Sequence, residues 1–153
     1  MGEVAKRLIV FFLSMVPVIE LRGAIPIGFG FKLPLWETLV LSIGGNILIV
    51  PFIVLLFNQM LRVMRKFRLT AKIANNIEAR TQRKSEKVEN LLFWGLVLFV
   101  AIPLPGTGAW TASMIAGLLQ VKARKAVIPI VMGVIGAAII VTLITYGVVK
   151  IIA

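Results

Sequence analysis

Four long apolar stretches constrain this chain more than any other feature. They cover residues 8–19, 36–57, 91–119 and 126–149. The second and the fourth are each long enough to cross a hydrocarbon core of about 30 Å at about 1.5 Å per residue. A water-soluble domain could not cover them all, because 59% of the residues are hydrophobic and only 15% are charged. The sequence therefore predicts an all-α integral membrane protein.

The first and third apolar stretches are interrupted. The first is too short to span a bilayer and is followed by residues that break or charge the chain, namely Pro17, Glu20, Arg22, Gly23 and Pro26. The third is broken near its centre by Pro103, Pro105, Gly106 and Gly108. Two topologies fit these breaks: four crossings with two kinked helices, or two crossings with two re-entrant hairpins that turn back at mid-membrane.

The distribution of charge favours the hairpins. The chain carries 17 basic and 6 acidic residues, a net charge of +11, and most bases lie in residues 58–90 and at residues 122–125. With two hairpins these two segments share one side of the membrane, and with four crossings they do not. Lys and Arg prefer cytoplasmic loops, which predicts a cytoplasmic basic segment and external termini in a multi-pass protein of a prokaryotic plasma membrane. This topology accounts for the pI of 11.1 without nucleic-acid binding.

The predicted architecture is a single membrane domain, residues 1–153, built as two inverted repeats. Each repeat is a re-entrant helical hairpin followed by a transmembrane helix, over residues 8–57 and 91–149, and a basic amphipathic cytoplasmic segment, residues 58–90, joins them. The order of elements carries this prediction, since the sequence similarity is short: residues 22–24 align with 107–109, and Gly44-Gly45 with Gly133. Inverted repeats with broken helices near the midplane are typical of transporters.

Several functional classes are disfavoured by residues that the chain lacks. It has no His, Cys or Asp, which removes imidazole and thiolate metal sites and the usual catalytic triads. We therefore expect no enzyme activity, no metal and no cofactor. The expected partners are membrane lipids and a small-molecule or lipid-phosphate cargo, and the sequence leaves open whether two copies pair to enclose the hairpins.

Glu20 and Arg22 are the ionisable residues that this topology places at membrane depth. Such residues are costly in lipid and usually mark a transport path or pair with each other. In the functional interpretation, Arg22 and free N–H groups of a loop at residues 21–25 bind an anionic headgroup, while Glu20 exchanges a proton. In the structural interpretation, the two side chains form an ion pair that fixes the hairpin tip.

The second hairpin tip offers polar groups without a charge. Its candidate binding residues, together with those flanking Arg22, are Gly23, Pro26, Pro103, Pro105, Gly106, Thr107, Gly108 and Trp110. Irregular backbone at this depth must be buried in protein or line a watery cavity. A helix kink explains the same residues equally well. Asn46 also needs a polar partner in lipid, which we expect on a neighbouring helix rather than on the cargo.

The two tips resemble the signature segments of a known family. Residues 20–26, Glu-Leu-Arg-Gly-Ala-Ile-Pro, and residues 103–110, Pro-Leu-Pro-Gly-Thr-Gly-Ala-Trp, resemble the prokaryotic small multidrug export family, which is similar to the DedA/VTT superfamily. The resemblance implies two inverted re-entrant hairpins and proton-coupled movement of a polyprenyl-phosphate or phospholipid. The resemblance also implies that an acid in the first hairpin and an arginine in the second serve this proton-coupled movement. Glu20 matches the acid, but the second loop has no arginine.

The expected function is a transporter or lipid translocase, with two rivals. One is an exporter of cationic drugs that uses Glu20, although Arg22 beside it repels cations. The other is a membrane scaffold that recruits lipid or a partner through residues 58–90.

Overall fold

A computed structural model describes residues 2–64 and 86–152. In these ranges the chain forms six α-helices and no strand: α1 Glu3–Met15, α2 Glu20–Gly30, α3 Leu35–Met64, α4 Glu86–Ala101, α5 Ala109–Leu118 and α6 Ala123–Ile152. Most of the predicted basic segment lies outside the described residues. Its two ends belong to helices, because α3 continues to Met64 and α4 begins at Glu86.

The two 30-residue helices, α3 and α6, are long and apolar enough to cross a membrane. Only 33% and 39% of their most apolar windows are buried inside the protein. Large apolar side chains point outward on both helices, with Phe52 63% and Leu143 68% exposed. A core helix of a soluble protein would hide such groups, whereas a bilayer covers them.

Helices α1 and α2 form a hairpin whose two open ends lie beside the start of α3. Residues 16–19 form the turn between α1 and α2, at Pro17. Near the start of α1, Arg7 Nε donates a hydrogen bond of 2.6 Å to the Glu37 carboxylate in the first turn of α3. Because α2 also leads directly into α3, both open ends of the hairpin lie beside the start of that helix.

The second half makes similar contacts. Near the start of α4, Glu89 lies 2.8 Å from Lys125 Nζ in the first turn of α6. Gly133 of α6 packs on the end of α4, where a Cβ atom would meet Val100. Gly45 of α3 packs on the end of α1 in the same way, and it follows Leu35 by as many residues as Gly133 follows Ala123.

The two long helices run in opposite directions. Beside the last turns of α3, Asn58 Nδ2 donates to the Val121 carbonyl, which precedes α6, at 3.4 Å. At the other end, Phe29 in the last turn of α2, just before α3 begins, packs edge to face on Tyr146 of α6, with ring centres 4.7 Å apart. The apolar core lies between the long helices and the hairpins and includes Leu21, Ile25, Val50, Val54, Leu96, Val100, Ala112, Ala116, Ile130 and Val134.

Candidate functional site

The tips of the two hairpins meet, and the contact centres on Glu20. This residue begins α2 and is only 5% exposed. Its Oε1 accepts a hydrogen bond of 3.0 Å from the backbone N–H of Trp110, in the first turn of α5. The first N–H groups of a helix lack partners within the helix and carry a partial positive charge. The Glu20 carboxylate therefore stabilises the N-terminus of a helix in the other half of the chain.

Gly108 makes room for this carboxylate. It is buried and directly precedes α5, and a Cβ atom built on it would overlap the Glu20 carboxylate. Any larger residue would push the acid away from the helix end. The backbone at Gly108 is extended, with φ −85°, so space rather than conformation requires a glycine there.

The Arg22 guanidinium reaches into the loop between α4 and α5. It donates to five acceptors: the carbonyls of Val100 (3.3 Å), Ile102 (3.2 Å), Leu104 and Thr107 (3.0 Å), and Thr107 Oγ1 (3.1 Å). The last carbonyls of a helix carry a partial negative charge. Arg22 therefore stabilises the C-terminus of α4 as Glu20 stabilises the N-terminus of α5.

Trp110 makes the reverse contact, from the second tip to the first. Its indole Nε1–H donates a hydrogen bond of 2.9 Å to the carbonyl of Met15, the last residue of α1. Three broken helix ends are thus satisfied by a group from the opposite hairpin. These contacts join the two tips at the point where both helix pairs are interrupted.

The predicted site residues are divided by this geometry. Glu20, Arg22, Thr107, Gly108 and Trp110 come together at the tip contact. The remaining tip residues lie around it. Gly23 in α2 packs against Ile19, the residue before that helix, and Pro26 is exposed on α2. Pro103 is partly buried, and Pro105 and Gly106 are exposed in the loop. Asn46 lies on α3 and is fully buried.

The expected loop at residues 21–25 is wrong, because these residues are helical. The turn comes earlier, at residues 16–19. Val18 in this turn has φ 78°, and Glu20, directly after it, has φ 48°. The Gly23 N–H is already bonded to the Ile19 carbonyl at 2.8 Å. Pro26 lies inside α2, where its ring removes the donor that would reach the Arg22 carbonyl.

Two pairings that the sequence analysis considered are absent from the described residues. No salt bridge joins Glu20 to Arg22, since each side chain contacts a different end of the broken second helix pair. The partner expected for Asn46 on a neighbouring helix is also not found, because neither amide atom has a hydrogen-bond partner.

Comparison with known families finds a match over most of the chain. A family model described as "Putative small multi-drug export protein" matches residues 20–140, from Glu20 through both tips and well into α6. The chain belongs to this family. Neither a curated protein nor a solved structure matches the chain. Its apolar helices and its membership of the small multi-drug export family make it a helical membrane protein.

Two buried polar residues next to Asn46 were missed by the sequence analysis. Thr38 and Ser42 precede Asn46 on α3 at intervals of one helical turn, and all three are fully buried. The spacing of four residues was a visible signal, because it places polar side chains on one helix face. In the described ranges no three acidic side chains lie close enough to share a metal ion.

Proposed function

We propose that the chain is a proton-coupled membrane transporter that opens at the contact between its two hairpin tips. Its cargo would carry an anionic headgroup, such as a phospholipid or a polyprenyl phosphate, across a prokaryotic plasma membrane. The observation that carries the proposal is the Glu20 carboxylate held at the N-terminus of α5.

The helix lengths support re-entrant hairpins. The four short helices, of 10 to 16 residues, extend about 15–24 Å at about 1.5 Å per residue and are too short to span about 30 Å alone. Each pair returns to the end of the long helix beside which it begins, as the Arg7–Glu37 and Glu89–Lys125 contacts indicate. In a bilayer, such a pair would enter and leave on the same side.

The contacts also support two inverted repeats. Both halves have the order short helix, short helix, long helix, and the long helices run in opposite directions. The side at which α3 ends and α6 begins carries the bases Arg62, Lys122, Arg124 and Lys125. By the preference of Lys and Arg for cytoplasmic loops, we assign this side to the cytoplasm.

The N-terminus of α5 is the proposed anion site. Backbone N–H groups at a helix N-terminus bind phosphates and carboxylates, and here a carboxylate of the protein occupies the place. When Glu20 takes up a proton, its negative charge is lost and its hold on α5 weakens. An anionic headgroup then replaces it at the Trp110 N–H, with the positive charge of Arg22 nearby.

The similarity to the DedA/VTT superfamily stays a prediction. The resemblance implies an arginine in the second hairpin, which this chain lacks. Arg22 nevertheless reaches the second loop from the first hairpin and bonds to Thr107 there. This contact supports the view that a guanidinium acts in the second loop although its residue belongs to the first hairpin.

Substitution of Glu20 tests the proton role. In proteoliposomes that contain phosphatidylethanolamine and fluorescent short-chain phosphatidylglycerol, Glu20→Gln should abolish the dependence of probe movement on a pH gradient. Glu37→Gln is the matched control, because Glu37 pairs with Arg7 away from the tips and its loss should leave that dependence intact. Unchanged pH-dependent movement in the Glu20 variant would remove the proton role.

Export of cationic drugs is the second candidate, and the family description favours it. Glu20 Oε2 accepts no hydrogen bond from the described residues, which leaves one carboxylate oxygen for a cation. The same vesicles, loaded with ethidium in place of the lipid probe, distinguish the two. Movement of ethidium alone contradicts the anionic cargo, and movement of neither probe contradicts transport through the tips.

A further inference from the structure

A stripe of buried polar side chains on α3 is not explained by the fold. Thr38, Ser42 and Asn46 follow one another at four-residue intervals, and each is 0% exposed. Thr38 Oγ1, Ser42 Oγ and both amide atoms of Asn46 have no hydrogen-bond partner. A buried polar group without a partner costs about 1–3 kcal/mol, so three in a row on one face are unfavourable for a purely structural helix.

The stripe leads from one face of the membrane to the hairpin tips. Thr38 lies in the first turns of α3, against Gly28 near the open end of the first hairpin. Asn46 follows Gly45, which packs against Ser14 in the last turn of α1. At that end of α1 the Met15 carbonyl accepts the bond from Trp110. The far end of the stripe is therefore level with the tip contact.

The spacing of the stripe suits a chain of water molecules. Side chains four residues apart on a helix have Cβ atoms about 5–6 Å apart. One water between two hydroxyls, bonded to each at about 2.8 Å, bridges that distance. A hydroxyl both donates and accepts hydrogen bonds, as proton hopping along such a chain requires. Val40 and Leu48, on the opposite side of α3, are exposed apolar residues without such groups.

We propose that Thr38, Ser42 and Asn46 line the route by which water and protons reach Glu20 from the face at which α3 begins. The inference deepens the proposed function, since it rests on Glu20 as the proton acceptor. A proton from bulk water passes along the hydroxyls and bridging waters to a Glu20 carboxylate oxygen and returns to water when the carboxylate re-forms. The Trp110 N–H then loses and regains its charged acceptor.

Few other charges face Glu20 from the helices around it. Arg22 lies on the same helix, and Tyr146 of α6 packs on Phe29 toward the far end of α2. The facing parts of the other helices, residues 8–15 of α1, 38–57 of α3, 91–101 of α4 and all of α5, contain no ionisable side chain. Among the described residues around the tip contact, Arg22 is therefore the charged side chain that interacts with Glu20.

Thiol reactivity tests the route directly, because the chain contains no natural cysteine. Thr38→Cys, Ser42→Cys and Asn46→Cys would be compared with the lipid-facing controls Val40→Cys and Leu48→Cys. Methyl methanethiosulfonate, which is small and neutral, reacts with the thiolate, which forms only where water reaches the sulfur. We expect the stripe thiols to react at least about tenfold faster than the controls. Equal rates for stripe and control positions would overturn the route.

A kinetic measurement covers the case in which the cysteine variants do not fold. With Trp36 and Trp94 replaced by phenylalanine, the emission of Trp110 reports the state of Glu20 after a rapid pH jump. Ser42→Ala should slow the emission change severalfold and leave its amplitude unchanged. Ser113→Ala is the control, because that hydroxyl is buried on α5 and already bonded to the Ala109 carbonyl. An unchanged rate in Ser42→Ala would contradict the route.

The outcome is separable from that of the transport assay. If stripe thiols react no faster than the controls while Glu20→Gln still abolishes pH-dependent transport, the route is wrong and the proposed function stands. If the thiols react fast and Ser42→Ala slows the emission change, while Glu20→Gln transports normally, the route stands and the proton-coupled function is wrong.

Discussion

Glu20 and Arg22 are two residues apart in the sequence but bind opposite ends of the broken helix pair in the second half of the chain. The acid contacts the N-terminus of α5 and the base contacts the C-terminus of α4, so each charge meets a helix end of opposite partial charge. That both lie at the first interruption of the chain could be predicted from the sequence. Their partners could not, because those are backbone groups from distant residues that become unpaired only when the second helix breaks.

Gly108 gives the sharpest residue-scale prediction. Gly108→Ala should displace the Glu20 carboxylate and lower stability by about 1–3 kcal/mol, as overpacking in a closely packed site does. Thermal unfolding in detergent measures this as a fall in Tm. Gly95→Ala is the control, because a Cβ atom at Gly95 meets nothing within 4 Å. Equal Tm changes in both variants would show that the carboxylate does not need the space.

Arg22→Lys should also destabilise the protein although the charge is kept. The guanidinium spreads its donors over five acceptors around the second loop, and a single ammonium group cannot reach them all. We expect a loss of about 2 kcal/mol in unfolding free energy, since hydrogen bonds to charged groups are worth about 1.5–3 kcal/mol each. Arg62→Lys, at an exposed position on α3, is the matched control. The same Tm for Arg22→Lys as for that control would contradict the assigned contacts.

At the scale of helices, the positions of the breaks could be predicted more closely than their form. Proline and glycine marked both interruptions, and the second is a true loop at residues 102–108. In the first, the chain turns at residues 16–19 and resumes as helix at Glu20, so Gly23 and Pro26 are helical. Composition cannot separate these cases, because proline also occurs inside helices of this chain, at Pro26, Pro51 and Pro129.

Close packing of the long helices on the hairpins depends on glycines in both halves. Gly45→Ala would collide with Ser14 and the Phe11 carbonyl, and Gly133→Ala with Val100. Both should lower Tm. Gly44→Ala, one residue away and facing open space, should leave Tm unchanged or raise it, since alanine favours a helix by about 1 kcal/mol over glycine. A destabilised Gly44→Ala with normal Gly45→Ala and Gly133→Ala would contradict the packing.

At the scale of the whole molecule, the all-helical membrane fold follows from the sequence because apolar stretches of this length admit little else in lipid. The two long helices, the interrupted stretch before each of them and the family could all be predicted. The joining of the two tips could not, since it depends on contacts between residues in different halves. Nor could the buried stripe on α3 be assigned a role, because its unpartnered atoms become evident only when α1 and α2 cover them.

We propose that each hairpin enters and leaves the membrane on one side, the first hairpin from outside and the second from the cytoplasm. Single cysteines placed at Lys6, Lys32, Arg62 and Arg124 of the cysteine-free chain can be tested with a membrane-impermeant thiol reagent in intact cells. With two re-entrant hairpins, we expect cysteines at Lys6 and Lys32 to be labelled and those at Arg62 and Arg124 to be protected. Labelling of Lys32 and Arg124 on one side, with Lys6 and Arg62 on the other, would mean four crossings and would contradict re-entrant hairpins and transport between their tips.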